Sequence, residues 1–183
     1  MTQAYRRLAK RCAGSEILAM QNMTNRRALL AAGIGAGIAM TVGCAPSDAA
    51  EPFPFRLSDA QWRQRLGPER YAVLRRAGTE APFTSPLNAE KRAGRFGCAG
   101  CGQPLFSSRT KFESGTGWPS FWAPIAAGAV RNRSDTTMFM RRVEVVCARC
   151  GGHLGHVFDD GPKPTGKRYC MNGDAMVFRP GAA

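Results

Sequence analysis

CARCGGHLGHVFDDGPKPTGKRYCMN, residues 147–172, is the stretch on which the structure of this chain depends most. It opens with the CxxC pair Cys147 and Cys150, which matches a second CxxC pair far upstream, Cys98 and Cys101. Four thiolates in two such pairs make a closed tetrahedral zinc site. The spacing therefore predicts a structural Zn2+ ion that holds two distant turns together.

The same stretch closes on a fifth cysteine, Cys170. Zinc is saturated by four thiolates, so this sulfur is not needed for the metal. If residues 167–172 form a strand, Arg168, Cys170 and Asn172 share one face of it. A nearby positive charge favours the thiolate, and an asparagine can donate a hydrogen bond to an oxygen bound beside it. The pattern predicts a nucleophilic cysteine.

Between the zinc pair and Cys170 lie the only two histidines of the chain, His153 and His156. Histidines three apart point to opposite faces of a straight strand. The glycines around them, Gly152 and Gly155 among others, allow a bend that brings both rings toward the cysteine. The alternative is that one histidine only makes a buried structural hydrogen bond.

Length and composition predict one globular domain with an N-terminal extension. The chain has 183 residues, of which 44% are hydrophobic and 21% charged, and its formal net charge is +13. Residues 1–43 hold six basic side chains and one acidic, which leaves 20 basic and 12 acidic from Cys44 onward. A basic balance fits a nucleic acid or an anionic membrane, and equally a surface around a thiolate site.

The extension resembles a targeting segment. Asn25, Arg26 and Arg27 precede the apolar, Gly- and Ala-rich residues 28–42, a pattern typical of a twin-arginine export signal. This run is shorter and less apolar than the roughly 20 residues of a membrane span. The sequence thus predicts export to the periplasmic side of a bacterial inner membrane, by a route that carries folded, zinc-loaded domains.

Two cleavage sites remain open. Residues 41–43 before Cys44 resemble a lipoprotein box, which would make Cys44 a lipid anchor, whereas residues 47–49 offer small side chains for an ordinary cleavage site. The predicted boundaries are an export signal over residues 1–49, a linker over 50–57 and a folded domain over 58–180.

Two short helices are predicted to begin the domain. Ser58 and Gln61 form a capping box, Gly67 and Pro68 break the chain, and a second helix closes at Gly78. Strands are predicted over residues 95–98, 111–113, 136–146 and 175–179. The two CxxC pairs are 45 residues apart, far more than the roughly 15 to 20 of a compact zinc ribbon. The metal is thus expected to link the loops of a mainly β domain.

Inside that interval, residues 114–122 read SGTGWPSFW. Two glycines and a proline indicate a rigid loop, which is predicted to present Trp118 and Phe121 at an apolar pocket. Packing in the core is the commoner location for any one such aromatic side chain.

These motifs together resemble the B-type methionine sulfoxide reductases, which reduce the R epimer of protein-bound methionine sulfoxide. The resemblance is carried by GTEAPFTS (78–85), GTGWPSFW (115–122), the two CxxC pairs and GGHLGHVFDDGPKPTGKRYCMN (151–172). It runs from about Leu57 to Phe178.

The resemblance implies a mainly β fold of two antiparallel sheets, a β-tent-like arrangement, with small N-terminal helices and a structural four-cysteine zinc site. It implies that residues 58–180 form a methionine-R-sulfoxide reductase domain with Cys170 as the nucleophile. It further implies that His153 and His156 line the substrate site and that Asn172 fixes a histidine or the substrate oxygen. Trp118, Phe121 and Arg168 are the expected substrate-binding residues.

Recycling is where the chain departs from one common family pattern. Attack on the sulfoxide leaves Cys170 as a sulfenic acid. Many relatives carry a recycling cysteine at the position of Thr116, and threonine cannot form a disulfide. Besides the zinc ligands and Cys170, the chain has only Cys12 and Cys44, in or beside the signal. The expected partners are therefore oxidised proteins carrying methionine sulfoxide and an external reductant, thioredoxin-like or another thiol.

Two other classes of function compete with this one. A ligand-binding module could share the zinc-linked sheets and an aromatic pocket, but it has no use for a reactive thiol beside a cation and an amide. A basic zinc module for nucleic acid would bind in a salt-dependent manner, and it conflicts with an export signal. The sequence therefore predicts an enzyme that binds no nucleic acid.

Overall fold

The computed structural model describes residues 53–136 and 141–183. In this part of the chain nine strands form two antiparallel sheets, so the predicted mainly β fold is confirmed. The strands are β1 (Gly94–Cys98), β2 (Pro104–Ser107), β3 (Lys111–Phe112), β4 (Ser120–Phe121), β5 (Val130–Asp135), β6 (Arg142–Cys147), β7 (His153–Phe158), β8 (Arg168–Met171) and β9 (Met176–Pro180). The helices are α1 (Asp59–Arg76) and the 3-10 turns Pro86–Asn88, Ser108–Thr110 and Gly173–Ala175.

The smaller sheet has the strand order β2-β1-β9, and the larger one has the order β3-β4-β8-β7-β6-β5. β1 pairs with β9, which joins the two ends of the domain. Cys98 ends β1 in the smaller sheet and Cys147 ends β6 in the larger one. A metal held by both CxxC pairs therefore links the two sheets at these strand ends.

Helix α1 begins as the sequence predicts. The Ser58 hydroxyl accepts a hydrogen bond from Gln61 N at 3.3 Å, and Gln61 Oε1 accepts one from Ser58 N at 2.9 Å. Gly67 has non-helical angles (φ 69°, ψ 175°) just before Pro68, so α1 is two helical segments that meet at a kink. The residues of α1 that face inward are Trp62, Leu66, Tyr71, Val73 and Leu74.

The end of α1 differs from the prediction by one residue. Ala77, not Gly78, adopts the left-handed conformation, with φ 53°. Gly78 follows it and donates a backbone hydrogen bond to Ala72 O at 2.9 Å. A Cβ on Gly78 would lie 2.9 Å from that same oxygen. Gly78 therefore permits the close approach to the Ala72 carbonyl, while Ala77 adopts the left-handed conformation that ends the helix.

The strand predicted over residues 136–146 is only partly observed. β6 begins at Arg142, Thr136 is not in a strand, and residues 137–140 lie outside the described part of the chain. The preceding strand β5, VRNRSD, was not predicted because it has no alternation of apolar and polar side chains. It pairs only with β6 at the edge of its sheet, where polar side chains are common.

Three phenylalanines join the two sheets. Phe121 of β4 stacks on Phe106 of β2 with ring centroids 4.5 Å apart, and it meets Phe96 of β1 edge-on at 4.9 Å. All three are 0% exposed. The prediction that Phe121 lines the substrate pocket is therefore wrong. Ser120 is the register partner of Cys170, so the next residue along β4 faces the opposite side, into the core.

Arginines attach α1 and the zinc turns to one another. Arg65 donates to Gly100 O at 2.6 Å, and Arg75 donates to Cys150 O at 3.2 Å while its guanidinium lies 4.8 Å from the centre of the Trp62 ring. One arginine from the helix thus reaches each CxxC turn. The helix stabilises the metal loops as well as covering the core.

The predicted export signal, residues 1–49, lies outside the described residues, as do the first positions of the linker. Within the described residues, no helix combines the length and the apolar content that a membrane crossing requires. The predicted domain boundaries remain predictions.

Candidate active site and zinc centre

The four predicted zinc ligands come together at one end of the two sheets. Their sulfur atoms all lie within 4.8 Å of one another, with 3.7 Å between Cys98 and Cys150 and 3.6 Å between Cys101 and Cys147. All four side chains are buried. Each CxxC turn is closed by the same backbone bond, from the residue after the pair to the first cysteine carbonyl, at 2.8 Å in both.

This geometry fits zinc. Four sulfurs around Zn2+ at about 2.3 Å stand roughly 3.8 Å apart in a tetrahedron, close to the two separations above. Without a cation, hydrogen bonding to Cys101 and Cys147 raises the pKa values of Cys98 and Cys150, because four buried thiols this close cannot all ionise. A divalent cation removes that conflict. The four-cysteine cluster is a structural zinc site with no position left for catalysis.

Cys170 stands apart from the zinc cluster, in the middle of the larger sheet. One row of register partners crosses that sheet through the cysteine: Ser120 on β4 pairs with Cys170 on β8, which pairs with His156 on β7, which pairs with Glu144 on β6. Partners in one row project from the same face. The sheet itself thus brings a hydroxyl, a thiol, an imidazole and a carboxylate to one side.

A cavity of about 140 Å3 opens on this face. It is lined by Thr79, Trp118, Arg142, Gly155, His156, Phe158, Cys170 and Asn172. A cavity of this volume has room for several water molecules, which suits the end of a side chain better than a large ligand. The structure thus brings three of the predicted catalytic residues and Trp118 together around one cavity.

His156 is held by a carboxylate that the sequence analysis did not single out. Its Nε2 lies 2.8 Å from Asp135 Oδ2 on β5, and Arg142 donates to the same oxygen at 2.8 Å. The Asp135 side chain is 14% exposed, so both contacts are shielded from water. This carboxylate fixes the orientation of the imidazole and leaves Nδ1 as the other ring nitrogen.

His153 lies beside the cavity without lining it. Its ring is 5.5 Å from that of His156, its Nδ1 bonds to Glu144 Oε1 at 2.7 Å, and it is 4% exposed. Burial lowers the pKa of His153, although the carboxylate of Glu144 acts in the opposite direction. The geometry is that of a buried histidine bonded to a carboxylate and packed against its neighbour, which was the alternative considered from the sequence.

A β-bulge places the two histidines on one side. Val145 pairs with Gly155 and Val146 pairs with His153, so Leu154 is an extra residue in β7. Because of this extra residue, His153 and His156 face the same side of the sheet although they are three positions apart. Gly155 is required here, because a Cβ on it would lie 2.1 Å from Cys170 O. The bend expected from the glycines is thus present as a bulge.

Arg168 and Asn172 flank Cys170 along β8, as the alternation predicts. Arg168 interacts electrostatically with Cys170, but its strongest partner is Asp160, to which it donates two hydrogen bonds of 2.9 and 2.8 Å. These bonds to Asp160 are the main reason that the pKa of Arg168 is raised. Arg168 is not among the described residues that line the cavity. It interacts with the sulfur from its place two residues earlier in β8.

Glu80 holds the opposite wall of the cavity. Its N–H donates to Asn172 Oδ1 at 3.1 Å, its carbonyl accepts from Trp118 Nε1 at 3.2 Å, and its carboxylate accepts from the N–H groups of Gly173 and Asp174 at 2.6 and 2.9 Å. Desolvation raises the pKa of Glu80, and the two backbone hydrogen bonds oppose it. One residue thus orients both the indole and the amide.

Residues 66–180 match the SelR domain, which covers the zinc cluster, the larger sheet and the cavity. The chain belongs to the SelR family. A protein of Methanosarcina barkeri named peptide methionine sulfoxide reductase MsrB is 58% identical over 122 residues, or 67% of this chain and 86% of the relative. Proteins of the same name from Agrobacterium fabrum and Thiobacillus denitrificans are 56% and 55% identical over 67% of this chain. The matched regions span 91% and 93% of those two relatives.

The SelR domain of this chain contains site residues that sequence reasoning missed. Thr79, Arg142 and Phe158 line the cavity, while Asp135 and Glu144 hold the histidines. One signal was available, since Arg142 and Glu144 are two charged residues on the same face of an otherwise apolar strand. Charges in that position need partners. The identity of the partners depends on strand order, which the sequence does not reveal.

Proposed function

We propose that this SelR protein is a peptide methionine (R)-sulfoxide reductase that uses Cys170 as its nucleophile and repairs oxidised proteins. The observation that carries the proposal is the cavity, in which a thiol outside the zinc cluster meets an oriented imidazole, an amide and an indole. A methionine sulfoxide side chain presents a sulfur to attack, an oxygen to protonate and a methyl group to bury. Each of these has a matching group in the cavity.

The chemistry follows from those groups. The Cys170 thiolate attacks the sulfoxide sulfur, and with uptake of one proton the oxygen ends on Cys170 as a sulfenic acid. The substrate sulfur gains two electrons and leaves as a thioether, while the cysteine sulfur loses two. We assign delivery of the proton to His156, held by Asp135, through its other ring nitrogen, Nδ1. The zinc ion stabilises the fold and takes no part in the reaction.

Asn172 and Trp118, on the other wall of the cavity, bind the substrate oxygen and methyl group. Asn172 Nδ2 donates one hydrogen bond to Leu154 O at 3.2 Å. An amide nitrogen carries two hydrogens, so the second is available to the sulfoxide oxygen as negative charge develops there. The indole of Trp118, oriented by Glu80, offers an apolar surface to the methyl group. Arg168 lies beside the sulfur and interacts with it electrostatically.

An external thiol completes the cycle in this proposal. Thr116, the position that the resemblance equates with a recycling cysteine, has its Oγ1 3.7 Å from Cys170 Sγ and cannot form a disulfide. In the described part of the chain, the remaining cysteines all belong to the zinc cluster. Two equivalents of thiol, from a thioredoxin-like protein or a small molecule, therefore reduce the sulfenic acid to thiol and water and are themselves oxidised to a disulfide.

A peptide with a single methionine sulfoxide, resolved into its two epimers, tests the function. With dithiothreitol, the protein is expected to consume the R epimer and leave the S epimer. Without reductant, one equivalent of methionine should form, and mass spectrometry should find a sulfenic acid on Cys170 and no intramolecular disulfide. Failure to consume either epimer would contradict the reductase proposal. A disulfide involving Cys170 would contradict only the recycling route.

We also propose that the domain acts after export, on the periplasmic side of a bacterial inner membrane. The support is the twin-arginine pattern before residues 28–42, which lie outside the described residues. Mass spectrometry of the mature protein from its native host is expected to find an N-terminus within residues 44–50. A diacylglycerol adduct on Cys44 would identify a lipoprotein, and an intact residue 1 would contradict export.

A further inference from the structure

Three hydroxyl groups run in a line from the sulfur of Cys170 into the protein. Thr116 Oγ1 lies 3.7 Å from Cys170 Sγ, Ser114 Oγ lies 2.8 Å from Thr116 Oγ1, and Ser120 Oγ lies 2.7 Å from Ser114 Oγ. The line ends where Ser120 donates to Trp118 O at 3.1 Å. We call Thr116, Ser114 and Ser120 the hydroxyl chain. Its far end is sealed, since Ser120 is 1% exposed.

The local sequence builds this line from two elements. Ser120 is the register partner of Cys170 across β4 and β8, so its side chain shares the face of the sulfur. The preceding loop turns back over that face through Gly115 and Gly117, with φ of 72° and 92°. This turn brings Thr116 against the sulfur and Ser114 between the other two hydroxyls. Sequence reasoning considered Thr116 only as the position of a missing recycling cysteine, whereas its hydroxyl contacts the nucleophile.

We propose that the hydroxyl chain is a reversible hydrogen-bond relay that donates to Cys170 when the sulfur is a thiolate and accepts from it when the sulfur carries a proton. The inference rests on the proposed function and adds Thr116 as a catalytic residue, with Ser114 and Ser120 as positioning residues. Each hydroxyl has one hydrogen to donate and lone pairs to accept. The direction of the line can therefore reverse by rotation of three O–H bonds alone.

Both directions keep the chain hydrogen-bonded. With a thiol, the S–H donates to Thr116, Thr116 donates to Ser114, Ser114 donates to Ser120, and Ser120 donates to the Trp118 carbonyl. With a thiolate, Ser120 donates to Ser114 in place of the Trp118 carbonyl, Ser114 donates to Thr116, and Thr116 donates to the sulfur. No proton passes between heavy atoms within the chain, and the thiol proton itself leaves to solvent. A sulfenic acid formed on the sulfur meets the same adaptable partner.

The charged groups around the sulfur do not substitute for this relay. Arg168 on β8, Arg142 on β6 and His156 on β7 face the cysteine or its cavity. Each is already engaged, with Asp160 for the first and with Asp135 for the other two. On the opposite wall, Glu80 directs its carboxylate to backbone N–H groups. Arg168 also interacts with the sulfur through its charge and a side-chain hydrogen bond, whereas Thr116 is the contact that joins the sulfur to the hydroxyl chain.

The test is the pH profile of alkylation of Cys170 by iodoacetamide, read by mass spectrometry of the peptide that contains it. T116V keeps the shape of the side chain and removes the donor, so the midpoint is expected to rise by about one pH unit, the effect of one hydrogen bond to a charged group. T116S keeps the donor and changes the shape, so its midpoint should stay within about 0.3 units of the wild type.

A purely structural role predicts the reverse order. T116V would then resemble the wild type and T116S would deviate, and either result would overturn the inference. The assay needs no sulfoxide, so it remains decisive if the reductase proposal fails, and dithiothreitol-driven turnover reports separately on that proposal. Circular dichroism of both variants verifies that they are folded.

The extension of the relay beyond Thr116 is tested by a double-mutant cycle. S114A reaches the sulfur only through Thr116, so it is expected to move the alkylation midpoint in the wild-type background and to have almost no effect in the T116V background. Such non-additivity supports a continuous relay. Equal shifts in the two backgrounds, or no shift in either, would limit the donor to Thr116 and overturn the relay.

Discussion

Cys170→Ser is expected to lower the rate of dithiothreitol-driven sulfoxide reduction at least about a thousandfold, to a level near that of the uncatalysed reaction. Serine keeps the size of the side chain, but its hydroxyl is not ionised near neutral pH and cannot accept the oxygen to form a sulfenic acid. The cavity, the histidine pair and the zinc cluster all remain. The loss should therefore appear in kcat, with little change in affinity for the sulfoxide peptide. Chromatographic measurement of the reduced peptide formed over time gives this rate.

The matching controls are zinc content and melting temperature, which Cys170→Ser should leave unchanged because the sulfur lies outside the metal cluster. Equal activity in variant and wild type would remove Cys170 from the reaction and with it the proposed mechanism. Tight binding of the peptide by a wild-type protein without turnover would instead identify a ligand-binding module. Salt-sensitive binding of nucleic acid would favour the other competing class.

The sequence predicted those features that depend on short spacings. Two CxxC pairs determine their own geometry, because each turn can hold a metal only with both sulfurs on one side. Alternation along β8 likewise brought Arg168, Cys170 and Asn172 to one face. The kink of α1 followed from Gly67 and Pro68. Each of these inferences involves residues within a few positions of one another.

Features that depend on register between distant strands were beyond sequence reasoning. Asp135 and Glu144 become partners of the two histidines only because β5, β6 and β7 are neighbours in that order. The bulge at Leu154 determines that both histidines face the same side of the sheet. A shift of one residue in the register between two strands would move every side chain of the shifted strand to the opposite face of the sheet. The glycine spacing indicated a bend but could not indicate its partner strand.

Phe121 shows how the same limit produces an error. A motif rich in aromatics suggested a pocket, yet the two sheets need large apolar side chains between them. Trp118 lines the cavity, whereas Phe121, three residues later, packs between Phe96 and Phe106. The register of Ser120 with Cys170 decides between the two outcomes. The same register places Ser120 in the hydroxyl chain, so one pairing explains both the wrong prediction and the further inference.

Cys98→Ser is expected to have the largest effect on stability. Cys98 is 1% exposed and joins β1 of the smaller sheet to a cluster that includes Cys147 of the larger one. Removal of one thiolate weakens zinc binding and leaves three buried sulfurs that cannot all ionise without the metal. We expect the free energy of unfolding to fall by more than about 3 kcal/mol and Tm by roughly 10 °C or more. Scanning calorimetry and metal analysis measure both.

Cys170→Ser is the matched control, because it makes the same chemical change outside the cluster and should keep Tm within about 2 °C of the wild type. A strong chelator should lower Tm of the wild type toward that of Cys98→Ser and have little effect on the variant, since the metal contribution to folding is then already lost. The opposite pattern would be full zinc and unchanged Tm in Cys98→Ser but metal loss in Cys170→Ser. It would show that Cys170, and not Cys98, is a zinc ligand. In that case neither the structural role of the four cysteines nor the freedom of Cys170 to attack a sulfoxide could be retained.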